Sequence, residues 1–271
     1  MSGMSGMSAM SMRPTTDLAT ILENRSQFLE VTKAQAEFVV TRYQEDLAWT
    51  KGFEHLVTVY NKGLNDLDIS GATFLSVPNF GAGLETVLRH IIMRYDSLAE
   101  VTMFCQGQIA DRADQPLYPL EWYFDFTTEF THTDPQIQRD HDGVSKKGVK
   151  GVLTDSYDGP RSHFLARISG DSCKAVRDRT LREFREKVVG IPYKYLVEFW
   201  VRGDWISVRR DVILKKGRDY YMYLYEACRF GRGIFVEECW FLERSLYSIF
   251  THSLRAGFTY SCKDEKEVLL T

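Results

Sequence analysis

The side chains with chemistry to offer gather in a few short stretches. In VVTRYQEDLAW (39–49), Thr41, Arg42, Tyr43, Glu45 and Asp46 follow directly on an apolar, β-branched run. If that run is a strand of an open α/β sheet, they stand at its carboxyl end, where such sheets bind ligands. An arginine there suits a diphosphate, and a carboxylate suits ribose hydroxyls or a base edge. The plainer alternative is a solvated helix start, with Glu45 and Asp46 complementing the helix dipole. VYNKG (59–63) puts Asn61 and Lys62 at a second strand end, although Asn-Lys-Gly is also ordinary turn chemistry. VPNFGAGLETVL (77–88) is a glycine-rich loop opening a helix, which can present backbone N–H groups to phosphate. It is neither a Walker loop nor a full dinucleotide fingerprint.

Two further stretches carry acids. VTMFCQGQIADRAD (101–114) is an apolar run that ends in Gln106, Gly107 and Gln108, with carboxylates only later at Asp111 and Asp114. VEECWFLERSLYSIF (236–250) has an apolar helical face of Cys239, Leu242, Leu246, Ile249 and Phe250. Glu237 and Glu238 sit at its start, as caps or with one as a catalytic base facing a cleft. Glu243 borders the apolar face and must be paired or have a shifted pKa. His132, Asp134, Asp140, His141 and Asp142 are dense enough to hold a divalent cation, but a solvated loop is the favoured reading. Arg177, Arg179, Arg182 and Arg185 alternate with Asp178, Glu183 and Glu186, which reads as a solvated helix face.

These residues need a scaffold. The periodicity predicts a helix over 14–37, strands over 37–43 and 55–63 with a helical turn between them, and a loop over 65–83. A strong amphipathic helix follows over 84–98, then a strand from 101. Strand and helix alternating within about 70 residues indicate βαβ units and a mainly parallel sheet. Residues 110–175 read as long surface loops with short elements, and 173–190 as a helix ending at Gly190. A strand–turn–strand over 195–210 and aromatic-rich helices over 217–231 and 236–252 complete the pattern.

Composition excludes several classes. The 271 residues are 44% hydrophobic and 26% charged, with a net charge of −3. No overall basic field argues for nucleic acid, and no apolar run approaches the length of a membrane helix. The five cysteines show no zinc-ligand spacing and read as reduced, mostly buried thiols, so a cytoplasmic location is expected. The opening MSGMSGMSAMSM reads as a flexible leader rather than a signal peptide.

Taken in order, VVTRYQEDLAW, VYNKG, VPNFG, YDSLAEVTMFCQG, WISVRRDVILKKGRDYYMYLYEAC and FLERSLYSIF resemble a family of fungal, bacterial and large-virus proteins related to GT-A glycosyltransferases. Its pattern runs R-Y-x-E-D-L-x-W, Y-N-K-G, L-P-N-x-G-R-E, F-x-Q-G, S-R-x-x-I and L-E-R-x-W, and the match spans most of 38–252. A narrower resemblance is to viral members that build chlorella-virus capsid glycans. The resemblance implies an α/β fold: a single GT-A-like domain over 14–260, with a Rossmann-like, mainly parallel twisted sheet flanked by helices. A leader (1–13) and a charged tail (261–271) would bracket it.

It also implies a transferase that moves a sugar from a nucleotide-sugar donor, UDP-linked, to a hydroxyl of a glycan or glycoprotein. Thr41, Arg42, Tyr43, Asp46, Asn61, Lys62, Asn79, Gly81, Gln106, Gly107 and Gln108 would hold the donor. Ala82-Gly83 stands where the family has Arg-Glu, which removes one phosphate contact. GT-A enzymes usually end the strand after this helix in Asp-x-Asp, whose acids hold Mn²⁺ or Mg²⁺. Here amides stand in that place, so the expected cation falls to Asp111 and Asp114, or else arginine and lysine meet the leaving-group charge. Asp204 and Trp205 would face the acceptor sugar, with Glu237 beside it. Glu238 is expected as the base of an inverting transfer, with Asp204 second. A non-catalytic carbohydrate- or nucleotide-sugar-binding protein of the same fold is the rival expectation.

Overall fold

A computed structural model of the chain describes residues 30–64, 69–107, 130–132, 152–154, 181–192, 197–199, 206–229 and 237–261. Residues 30–35 are turn, closed by the Gln35 amide on Thr32 O at 2.9 Å. The first strand, β1 (Ala36–Arg42), therefore begins where the periodicity expected helix up to residue 37. Its β-branched run pairs with neighbours on both sides, and that pairing captures Ala36 and Glu37 as well. Two 3₁₀ turns, Ala48–Thr50 and Glu54–Leu56, lead to β2 (Val57–Asn61). The loop expected over 65–83 contains a strand, β3 (Thr73–Ser76). Four strand residues are too few for a period to register, and pairing with β2 supplies what local pattern lacks.

Helix α1 (Ala82–Arg94) and a 3₁₀ turn (Tyr95–Ser97) precede β4 (Val101–Gln106). Short strands β5 (Phe130–His132) and β6 (Val152–Thr154) follow. Helix α2 (Leu181–Phe184) runs into one π-helical turn, Arg185–Val189, that stops at Gly190. Arg185 is fully buried there, unlike the solvated face expected for that basic stretch. Strands β7 (Val197–Phe199) and β8 (Ile206–Arg209) do not pair with each other, as a strand–turn–strand reading would have them. β7 joins β6, while β8 runs antiparallel to β4. Alternation identifies strands but not their partners. Helices α3 (Arg210–Ile213), α4 (Arg218–Arg229) and α5 (Glu237–Thr251) complete the description.

Six strands form one sheet in the order β3-β2-β1-β4-β8-β5. β3, β2, β1 and β4 are parallel, and β8 is antiparallel to both its neighbours. The expected α/β fold with a mainly parallel sheet is therefore present. Alternation along the strands divides the core in two. Ala36, Phe38, Val40, Val57, Val59, Met103 and Cys105 pack against Leu47, Trp49, Phe53 and Leu56. Val39, Tyr60 and Phe104 face α1, which meets them with Leu84, Val87, Leu88, Ile91 and Ile92, and behind it α4 and α5. The second face also buries a polar group, in which Thr58 donates to Glu37 at 2.5 Å and the Tyr60 hydroxyl meets His90 Nδ1 at 3.2 Å. Among the described residues no helix is long and apolar enough to cross a membrane.

The last turn of α5 is held by Lys216, a buried ammonium that donates to Ile249 O and, at 2.9 Å, to His252 O. Carbonyls at a helix end lack intrahelical partners and carry the negative end of the dipole, so a cation belongs there. Burial, helped by the neighbouring Lys215 charge, pulls the Lys216 pKa down to about 8 from the usual 10.5. A folded pKa below the unfolded one means that the unfolded chain binds more protons between those values. Stability therefore rises with pH across that window. Urea unfolding of wild type and Lys216→Met between pH 8 and 10 should show wild type gaining on the variant as pH rises. A pH-independent difference would contradict this account of the ammonium.

Candidate functional site

The strand order reverses between β1 and β4, because the chain moves outward from β1 to β2 and β3 and then crosses back through α1 to β4. Ligands of open α/β sheets bind at such a reversal, outside the carboxyl ends of the strands. Thr41 lies opposite Gln106 at this edge, and Arg42 lies opposite Asn61. The Arg42 guanidinium is buried and works as a cross-tie: Nε donates to Glu45 O at 2.9 Å and Nη1 to Asn61 Oδ1 at 2.7 Å. Asn61 Nδ2 in turn donates to Gly63 O at 3.1 Å.

Gly63 is glycine because of a close approach rather than an unusual turn. A Cβ there would lie 1.5 Å from Tyr43 O. The backbone of the β1 crest is thus pressed onto that of the β2 crest, and Lys62 N–H donates to Arg42 O at 2.7 Å in the same seam. Tyr43, whose carbonyl makes this contact, leaves its ring 46% exposed at the edge.

Lys62 points inward. Its ammonium donates to Phe80 O at 2.7 Å, Ala82 O at 2.6 Å and Glu85 Oε2 at 2.7 Å. Three acceptors require three protons, so the group sits there as the cation. Burial pulls its pKa below the ordinary lysine range, and the Glu85 charge opposes that pull. Glu85, with no exposure, also accepts from Arg89 and from the Tyr225 hydroxyl at 2.9 Å, and Arg89 reaches Tyr225 as well. Among these three residues, Lys62 and Arg89 face a single carboxylate, and the Lys62 ammonium lies directly beneath the 78–82 loop.

That loop is bent by the arrangement. Gly81 and Ala82 both take left-handed φ, 64° and 49°. For alanine this costs about 1 kcal/mol, and it turns two carbonyls onto Lys62. Asn79 is half-buried on the same loop. A Cβ on Gly81 would stand 3.5 Å from Cys239 Sγ, so the first turn of α5 meets the first turn of α1 here. Glu237 and Glu238 are the opening residues of α5, immediately before Cys239. Their backbone is thereby placed at the site, while their side chains are outside the described residues, as are Gln108, Asp111, Asp114, Asp204 and Trp205.

The β4 end is tied to the β1 loop. Gly107 N–H donates to Thr41 O at 2.7 Å, and the Trp49 indole donates to Gly107 O at 2.8 Å. Asp46 Oδ1 accepts the Ala48 amide at 2.9 Å and so starts the 3₁₀ turn that carries Trp49. Among the described residues no three His, Cys, Asp or Glu side chains converge as a metal site would need. At the β4 crest they offer an amide, a glycine and the Glu45 carboxylate. That is not the oxygen-rich set that Mg²⁺ or Mn²⁺ takes.

Sequence reasoning brought Arg42, Asn61, Thr41 and Gln106 to one edge, and the structure places them together. It did not single out Glu85, Arg89 or Tyr225. A signal existed, since Glu85 and Arg89 are spaced i, i+4 within an otherwise apolar helical stripe. The chain matches no protein-family model, no curated protein and no solved structure.

The seam between the crests is directly testable. Gly63→Ala should lose about 3 kcal/mol or more in denaturant unfolding, because a methyl against a backbone carbonyl leaves no side chain free to yield. Gly107→Ala, where a Cβ would meet Glu45 at 3.0 Å, should lose clearly less. Equal stability of wild type and Gly63→Ala would refute the close approach.

Proposed function

We propose that the chain is a GT-A-like glycosyltransferase that moves a sugar from a UDP-linked donor to a hydroxyl of a glycan by single displacement with inversion. The observation that carries this reading is the meeting of the motif residues at the sheet's order reversal. Thr41, Arg42, Asn61 and Gln106 end three neighbouring strands at one edge, with Tyr43 and Gly107 the residues that follow two of them. The rest of the site is consistent in its electrostatics. The 78–82 loop opens α1, whose first amides have no intrahelical acceptors. The buried cluster of Lys62, Arg89 and Glu85 lies beneath it. A diphosphate over this loop would meet a positive potential in a low-dielectric setting without displacing any ion pair.

In this reading Arg42 and Lys62 act as positioning residues, since their donors hold Asn61, the Glu45 carbonyl and the loop. Glu238, on the turn of α5 that abuts Gly81, takes the proton from the acceptor hydroxyl, with Asp204 as the second choice. Trp205 supplies the ring on which a sugar packs its C–H face, and Glu237 binds acceptor hydroxyls. Gln106 at the β4 end favours a second reading, a nucleotide-sugar-binding protein without turnover, because an amide cannot take the place of an acid in catalysis.

Thermal unfolding with a panel of UDP-, GDP- and TDP-sugars separates these outcomes. The transferase reading expects a UDP-sugar near 100 times its Kd to raise the midpoint by about 5 °C, with slow hydrolysis of the donor. Glu238→Gln should keep the thermal shift and lose at least about 100-fold in transfer. A shift without turnover in wild type selects the binding protein, and no shift with any nucleotide sugar contradicts both.

A further inference from the structure

The carboxylate of Glu45 stands where the residue after β4 would put its own side chain. Position 107 is glycine, and a Cβ built on it comes within 3.0 Å of both Glu45 Cβ and Glu45 Oε2. The loop after β1 has thus folded an acid over the end of the neighbouring strand. Three sets of bonds keep it there. Oε2 accepts the amides of Tyr43 at 2.5 Å and Gln44 at 3.0 Å. The Glu45 carbonyl accepts from Arg42 Nε at 2.9 Å. Gly107 beneath it is clamped between Thr41 O and the Trp49 indole.

The other oxygen, Oε1, makes no hydrogen bond among the described residues, and Glu45 is half-buried rather than swept by solvent. A carboxylate with one oxygen saturated by two backbone donors and the other directed by that anchorage is a preorganised acceptor. We infer that Glu45 is a specificity-determining residue whose Oε1 accepts a hydrogen bond from a ribose hydroxyl of the bound nucleotide. This rests on the reading of the order reversal as a nucleotide site.

The chemistry favours a hydroxyl over a metal ion. A hard divalent cation takes several oxygens, and here the neighbouring carboxylate, Asp46, accepts the Ala48 amide through Oδ1, while no three His, Cys, Asp or Glu side chains converge among the described residues. A sugar hydroxyl needs only one acceptor of fixed direction, and the bond is strengthened by the acceptor's charge. The acid that β4 lacks is in this way supplied by the β1 loop, with only one oxygen left to offer.

Glu45→Gln is the informative substitution. Its amide oxygen can still accept from Tyr43 and Gln44, so the loop keeps its anchorage, while a neutral NH₂ replaces the charged acceptor. Titration calorimetry of the full chain would use UDP and GDP with their 2′-deoxy and 3′-deoxy counterparts. Wild type is expected to prefer the ribonucleotide over at least one deoxy form by about 10-fold or more. In Glu45→Gln that preference should fall below about 3-fold, with the unfolding midpoint nearly unchanged, and in Glu45→Ala it should vanish. Preference retained in Glu45→Gln, or absent from wild type that binds UDP or GDP, overturns the assignment and leaves the nucleotide site standing. So does a Glu45→Gln that loses only a Mn²⁺ requirement for binding, which would make Glu45 a cation ligand. No binding of any nucleotide by wild type removes the site reading and the assignment together.

Discussion

A single carboxylate without exposure, that of Glu85, holds the site side of this fold in place. It joins Lys62 from the end of β2, Arg89 from the next turn of its own helix and Tyr225 from α4. Taking three charges out of water is costly, and here the cost is offset because both cations pair with the one carboxylate. Removing one member would strand the others, so the cluster behaves as a unit whose loss costs several kcal/mol. The position of α1 over the sheet, the bend of the 78–82 loop and the left-handed Ala82 are all consequences of satisfying it. Phe80 joins the same cluster from above, with its ring edge against Tyr225 and its face near the Lys62 ammonium.

This changes what the charged motifs do. Residues that invite assignment as phosphate ligands, Arg42 and Lys62, donate to backbone carbonyls, to Asn61 and to the Glu85 carboxylate. In the proposed function they would contribute shape and potential rather than direct contacts. At the edge itself Tyr43 is exposed and Glu45 half-buried. In the proposed function, this aromatic side chain and this hydroxyl acceptor would meet the base and the ribose of a nucleotide whose diphosphate lies over the 78–82 loop.

Much of the scaffold was legible in the sequence, because β1, β2, α1, β4, α4 and α5 each carry long, clean periods. The failures have local causes. β3 is a four-residue edge strand with no period to read. β7 and β8 have strand-like sequences, yet each pairs far along the chain. The helical stripe expected over 14–37 has its last apolar member at Val31, and the positions from Ala36 on belong to β1. At the site, spacing showed which residues reach the strand ends but not which way they turn. Asn-Lys-Gly looked like turn chemistry, whereas Gly63 answers a carbonyl on another strand and Lys62 a carboxylate 23 residues on. The neutral end of β4 looked like a missing acid, and the acid that fills the space comes from a loop more than 60 residues earlier. Contacts of that kind are properties of the packed sheet and leave no trace in local pattern.

The most direct measurement is a crystal structure of the chain soaked with UDP and Mn²⁺. The account predicts the nucleotide at the reversal between β1 and β4, its ribose beside Glu45, its base against Tyr43 and its diphosphate over the 78–82 loop. Nucleotide bound elsewhere on the protein, or an empty edge at saturating UDP, would contradict it.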